Sequence, residues 1–268
     1  MMRIVSLGHG GGVPNPYGNT NFLIYPEGQD PWLLDCGPDT ARRIIQDEIP
    51  VQGILLTHLH DDHSGGLKSL AYNDKYKLGL RRRLVYPARL QEGLGQQLCE
   101  MRYFSAQYKG DRDWSAYFHP QPMHPCVWVD LGGASATPFP VHHGLWSVDS
   151  DDRDTLVPSQ YAMPAFGWIV QSEGGERVMF SGDTYEPVGY LVDWLREPRN
   201  RYCVHDVQFY DNGNNGTHVH CPYNHLRDTV PVDLRHKVLL THYGATLPSD
   251  ARIDGFGYLE GGGEVYVR

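Results

Sequence analysis

Thr57-His58-Leu59-His60-Asp61-Asp62-His63-Ser64-Gly65-Gly66 places three imidazoles and two carboxylates within six consecutive residues. Residues 52–57 read as a buried strand that delivers the chain directly to His58. His58 and His60 are two apart, so at a strand end their side chains point the same way. Asp62 and His63 fall in the following turn, where the chain can bend them onto a second centre. Gly65 and Gly66 then allow a tight entry into a helix. Neutral imidazole and carboxylate suit divalent zinc, manganese or nickel, with no need for thiolate. Side-chain packing gives no reason for so many donors behind an apolar strand, so metal ligation is the better account.

Outward from this segment the chain reads as one α/β unit. Strands are expected over residues 3–7, 21–25 and 32–35, with the turn Pro26-Glu27-Gly28 between the last two. Asp39-Thr40 is a candidate helix cap, with Ile44 and Ile45 facing inward along a helix to Gln46. Residues 71–125 are harder to place; a helix is expected over 89–102, followed by an aromatic, turn-rich stretch that reads as a lid, a dimer contact or a plain surface excursion. A second strand-rich half begins near Val127, dividing the single domain at about residue 126. Val141, 166–171, 177–181 and 238–241 have strand character. Repeats, low-complexity tracts and flexible linkers are not found.

Composition narrows the function. The 268 residues are 40% hydrophobic and 21% charged, ordinary for a globular domain. A chain of this size buries about three quarters of its unfolded surface and needs no disulfides. Five cysteines without C-x-x-C spacing fit reduced thiols, and no signal-peptide layout or membrane-length apolar run is seen, so a cytoplasmic protein is expected. Cys36, Cys99, Cys126, Cys203 and Cys221 read as packing residues. The net charge of −9 argues against a large polyanionic partner, because nucleic-acid binders gain most of their affinity by neutralising phosphates. The 14 histidines have meaning only through their spacing; His9, His119, His124, His205 and His236 default to packing roles, although His9 lies in a turn expected to face the metals.

Residues 58–63 resemble the H-x-H-x-D-H signature of the metallo-β-lactamase superfamily at all four defining positions. Leu7-Gly8-His9-Gly10-Gly11-Gly12-Val13-Pro14 is similar to the glycine-rich first turn of ribonuclease Z and its phosphodiesterase relatives, and Leu33-Leu34-Asp35-Cys36-Gly37 to their strand ending in Asp-x-Gly. The resemblance implies an αββα sandwich with the metals at one edge between two sheets.

It also implies three further ligands. Pro140-Val141-His142-His143-Gly144 resembles the third motif, which favours His143 over His142; strand alternation lets only one of the pair face the metals. Val178-Met179-Phe180-Ser181-Gly182-Asp183-Thr184 resembles the fourth, whose aspartate bridges the ions, against the plainer reading of Asp183 as a helix cap. Val238-Leu239-Leu240-Thr241-His242-Tyr243 resembles the fifth. The implied set is His58, His60 and His143 on one ion and Asp62, His63 and His242 on the other, with Asp183 shared. Two divalent ions, zinc first and manganese second, then hold a water that ionises near neutral pH.

In the ribonuclease Z and small-molecule phosphodiesterase branch a histidine precedes the last ligand by about two dozen residues. His220 lies 22 before His242 and His218 lies 24 before it. His220 is favoured as the proton donor to the leaving alkoxide, with His218 the second choice; Asp62 completes the candidate catalytic groups. Cys221-Pro222 departs from the small hydroxyl residue usual after this histidine. A basic exosite arm is absent between 184 and 236, although Arg196, Arg199 and Arg201 cluster. The acidic run 149–154 after the third motif suits a shielded pocket. A small or cyclic phosphodiester is therefore the expected substrate, and a homodimer is implied by the resemblance and by the aromatic run 103–118. The alternatives are an RNA endonuclease like ribonuclease Z, a thioester or lactone hydrolase, and a metal-binding scaffold without catalysis; metal content and turnover separate them.

Overall fold

Trp32, Leu33 and Leu34 are all buried but serve different cores, Leu33 on one face of its strand and its two neighbours on the other. The same alternation divides Met179 from Val178 and Phe180. Period-two side chains buried on both faces require a sheet covered on both sides. The computed structural model describes residues 1–12, 16–101, 114–143, 163–209, 219–243 and 254–268, and among them two seven-stranded mixed sheets pack face to face. Residues 103–113 of the aromatic, turn-rich stretch 103–125, the acidic run 149–154 and His218 lie outside the described residues.

The first sheet contains β1 (Met2–Ser6), β2 (Phe22–Tyr25), β3 (Trp32–Leu34), β4 (Gly53–Leu55), β5 (Arg82–Pro87), β6 (Phe118–Met123) and β14 (Glu264–Val267), in the order β14-β1-β2-β3-β4-β5-β6. The second contains β7 (Val129–Asp130), β8 (Ala134–Val141), β9 (Ala165–Ser172), β10 (Arg177–Phe180), β11 (Asn200–Asp206), β12 (Val238–Thr241) and β13 (Gly257–Tyr258), running β13-β12-β11-β10-β9-β8-β7. Strands β3 to β6 and β10 to β13 run parallel within their sheets. Parallel neighbours need crossover connections. Those of the first sheet carry α1 (Pro38–Gln46), α2 (Asp61–Ser64), α3 (Leu67–Asn73) and α4 (Gln91–Gln97); those of the second carry α5 (Leu191–Arg196) and α6 (Tyr223–Thr229). One apolar layer lies between the sheets and one under the helices of each outer face, which makes the αββα sandwich.

Several hydrogen bonds between described residues join the sheets directly. Trp168 Nε1 donates to Leu56 O at 2.9 Å, Phe166 N to Thr57 O at 3.1 Å, and Trp32 Nε1 to Leu131 O at 2.9 Å. Local expectations shift in places. The cap of α1 is Gly37 with Pro38 at the first helical position, not Asp39-Thr40, because proline's fixed φ and missing N–H suit a helix start. Ile44 is buried, whereas Ile45 is only partly so. The helix expected over 89–102 is a 3-10 turn, Ala88–Leu90, followed by α4; Gly93 and Gly95 give α4 little intrinsic helix preference. Cys36, Cys203 and Cys221 are buried as expected, but Cys99 and Cys126 are exposed. Among the described residues no helix is long and apolar enough to cross a membrane.

Candidate metal centre

Parallel strands present their carboxyl ends on one edge, the usual place for a site in an open α/β sheet. Here His58, His143, Asp183, Asp206 and His242 all lie at or just past the ends of β4, β8, β10, β11 and β12. Two local devices aim them. Gly182 has φ +61°, and a Cβ there would stand 2.5 Å from Phe166 O, so only glycine makes the turn that turns Asp183 inward. Asp35 and His242 are themselves left-handed, at φ +63° and +62°, a conformation retained where the surroundings over-determine it.

Among the described residues three groups of donors result. His58, His60, His143 and Asp183 form the first; Asp62, His63, Asp183 and His242 the second; Asp183, Asp206, His220 and His242 a third. In the first, His60 Nδ1 is 3.1 Å from His58 Nε2 and 3.0 Å from His143 Nε2. Asp183 Oδ2 stands 3.7 and 3.9 Å from those two Nε2 atoms. In the second, His63 Nε2 is 3.3 Å from both Asp62 Oδ2 and Asp183 Oδ1, and His242 Nε2 is 3.3 Å from Asp62 Oδ2 and 3.5 Å from Asp183 Oδ2. Donor separations of this size approach the roughly 3.3 Å edge of a tetrahedron with zinc–nitrogen bonds of about 2.0–2.1 Å.

The opposite ring nitrogens are held. Thr57 Oγ1 donates to Asp35 Oδ2 at 2.8 Å, and the same oxygen lies 2.9 Å from His58 Nδ1; Asp35 Oδ2 also takes His63 Nδ1 at 2.8 Å. One buried carboxylate therefore braces a histidine of each group. His143 Nδ1 bonds Val219 O at 3.1 Å. Anchored Nδ1–H groups turn the Nε2 lone pairs of these rings toward the donor clusters. His142 instead faces outward, 60% exposed, against Glu186.

Charge states suit a cation. Burial holds His58 and His60 below the ordinary imidazole range and His143 down at about 4, so all three are neutral. Burial alone would raise Asp62 and Asp183, but the neighbouring His242 and His63 hold both well below the carboxylate range. His63 is pushed up despite its burial, by the charges of Asp183 and Asp35. Its Nε2 is buried without a hydrogen-bond partner among the described residues. A proton held there by carboxylates occupies the place a divalent cation would take. The residues fit such an ion.

His220 lies beside both pockets. Its Nδ1 is 2.9 Å from Asp206 Oδ2 and 3.8 Å from Asp183 Oδ2. Burial works against its charge, but the charge and hydrogen bond of Asp206, with Asp183 behind, raise its pKa to about 9. Asp206, buried and also accepting from Thr184 N at 3.0 Å, is the site residue that sequence reasoning missed. A single aspartate in Cys-Val-His-Asp carries no spacing signal. Asp35 was visible only as part of a motif, without its role. His9 joins none of these clusters among the described residues; it is buried between Tyr17 and Tyr243 and accepts from Gly261 N at 3.1 Å.

Solved structures with this fold include the metallo-β-lactamase fold protein YhfI from Bacillus subtilis, at TM-score 0.71 and 14% identity over 98% of both chains. The short form of human tRNase Z aligns at TM-score 0.66 and 18% identity over 99% of both. Fold and site together define a metal-dependent hydrolase with the metallo-β-lactamase fold. The model of the family described as "Anti-Pycsar protein Apyc1" matches residues 2–266. The Anti-Pycsar protein Apyc1 of Bacillus phage BSP38 is 26% identical over 234 residues, 85% of this chain and 83% of that one. The chain belongs to the Anti-Pycsar protein Apyc1 family.

Proposed function

We propose that the protein is a phosphodiesterase that hydrolyses cyclic nucleotides with two divalent ions. The observation that carries this reading is the His220–Asp206 pair, which sets a protonated imidazole beside a carboxylate common to all three donor groups. Family membership supports the substrate class, since Anti-Pycsar proteins degrade cyclic nucleotides. His58, His60, His143 and Asp183 would hold one ion, and Asp62, His63, His242 and Asp183 the other. The all-histidine-and-carboxylate donor set favours zinc, with manganese second. Such ions supply Lewis acidity toward phosphate oxygens and a water acidified to near neutral pH.

The remaining chemistry belongs to the chain. Hydrolysis adds water across one P–O ester bond, leaving a phosphomonoester and a sugar hydroxyl. The oxygen released at that bond is a poor leaving group and needs a proton. His220 gives its Nδ1–H to Asp206, which leaves Nε2–H as the proton for that oxygen. Asp206 keeps the ring charged and oriented, and Asp35 with Thr57 keeps His58 and His63 aimed. Asp62 and Asp183 stay ionised throughout.

The test is turnover of a panel of 3′,5′-cyclic nucleotides, bis-p-nitrophenyl phosphate and a precursor tRNA by the zinc- or manganese-loaded protein, beside His220→Ala. Metal-dependent opening of cyclic nucleotides, impaired in the variant, is the expected result. Two bound ions without activity on any diester would overturn the reading, and cleavage of the tRNA alone would replace it with an endonuclease.

A further inference from the structure

Between the sheets, just inside the second donor group, lies a cavity of about 20 Å³ lined by His63, Asp183, Asp206, Thr241 and His242 among others. Buried atoms of four of these residues have no hydrogen-bond partner among the described residues: His63 Nε2, His242 Nδ1, Asp206 Oδ1 and Thr241 Oγ1. Such groups are costly to leave unmade, and native interiors rarely hold several together. His63 Nε2 faces Asp62 and Asp183 and is explained by the proposed ion. The other three are not. Asp206 and Thr241 are register partners on β11 and β12, and His242 follows Thr241 directly. His242 Nδ1 and Asp206 Oδ1 lie 3.5 Å apart, too far for a good direct bond and suited to one bridging molecule.

We infer that a single buried water occupies this cavity and joins His242 Nδ1, Thr241 Oγ1 and Asp206 Oδ1. The space exceeds the roughly 10–15 Å³ that a water needs, and three polar contacts are the usual number for a buried one. The water accepts from His242 Nδ1–H and from the Thr241 hydroxyl and donates to Asp206. A neutral imidazole that ligates through Nε2 carries its proton on Nδ1, so that proton requires an acceptor. Thr57 and Val219 supply an oxygen to the Nδ1 of His58 and His143, and Asp35 supplies one to His63. For His242 the water fills that place. Asp206 then positions two groups of different function, His220 by a direct bond and His242 through solvent. Thr241 and Asp206 are positioning residues, not catalytic ones. The ligand role of His242 rests on the proposed function; the water itself does not.

Three measurements test it. A high-resolution crystal structure of the wild-type protein should show one ordered water in the cavity; an empty cavity overturns the inference. Long-range ¹H–¹⁵N correlation spectra of the zinc-loaded protein should show His242 protonated at Nδ1, with that proton slow to exchange with solvent and faster to exchange in Thr241→Val. Competition with a chelating dye should show the weaker-bound zinc lost about 10-fold or more readily in Thr241→Val and within about twofold of wild type in Thr241→Ser. Unchanged zinc affinity with unchanged exchange of the His242 Nδ1 proton in Thr241→Val would refute the bridging role. A wild-type protein that binds no zinc would defeat the metal reading and leave the water to be judged by the density in the cavity.

Discussion

Replacing Asp206 by Asn tests the proton donor most sharply, because it keeps the shape of the side chain and removes its charge. Asp206 is the main influence holding His220 at about 9, against burial that works the other way. Without it the imidazole returns to its ordinary value near 6.5 or below. At pH 8 a group with pKa about 9 is about 90% protonated and one at about 6.5 is about 3% protonated, so kcat/KM falls by about 30-fold or more. At pH 6 the same arithmetic gives less than about a 1.5-fold loss for a value of about 6.5. Bound divalent ions oppose the imidazolium and move the break to lower pH, but the gap between wild type and variant still widens as pH rises. The assay is kcat/KM from pH 5.5 to 9.5 for a cyclic nucleotide and for bis-p-nitrophenyl phosphate, whose leaving group needs no proton, with metal content measured on each protein. A loss that is equal at pH 6 and pH 8, or equal for both substrates, refutes the role of His220. The sign also applies to stability: a pKa raised on folding stabilises fully below about 6.5, and that contribution is lost as pH rises through about 9.

Asp183→Ala removes the one carboxylate found in all three donor groups, and plasma mass spectrometry should find less than a full complement of metal with activity abolished; two retained ions and full turnover would disprove the arrangement. His143→Ala should lose metal and activity while His142→Ala, at an exposed position, keeps both; the reverse result would reassign the ligand. Gly11→Ala places a Cβ 3.0 Å from His242 Cε1, closer than ordinary contact, so the ring must shift and affinity for an ion at His242 should drop about 10- to 100-fold in a dye competition. Trp168→Ala empties the middle of the inter-sheet core and should cost about 3–5 kcal/mol in urea unfolding; a cost under about 1 kcal/mol would show that this core is not what joins the sheets.

The sequence disclosed most where chemistry is dense and local. Residues 58–63 carry enough donors behind an apolar strand to announce their purpose, and the single-residue motifs at 143, 183 and 242 follow strands that read clearly. Strands β9, β10 and β12 were legible for the same reason, being apolar runs bounded by turns. Strand β6 was not: Phe118–Met123 contains two prolines and lies at the edge of its sheet, where a missing N–H is tolerated. Strand β11, Asn200–Asp206, hid because charged and polar residues interrupt it, although its last four residues are buried. Asp206 became visible only when two elements far apart in sequence met, since its partners His220 and His242 are 14 and 36 residues away. A brace is defined by three-dimensional neighbours, and nothing in its own flanking residues marks it.

The bonds that cross between the sheets close to the metal edge have a mechanical consequence. Phe166 N to Thr57 O and Trp168 Nε1 to Leu56 O tie β9 to the segment that leads into His58. Each of the first two donor groups also draws residues from both sheets, the 58–63 turn from the first and His143, Asp183 or His242 from the second. Sliding or opening of one sheet against the other must therefore break these ties and dismantle both groups in one event. The protons of Phe166 N–H and the Trp168 indole should accordingly exchange with solvent at the rate of separation of the two sheets, and bound ions, by clasping the same edge, should slow that exchange further.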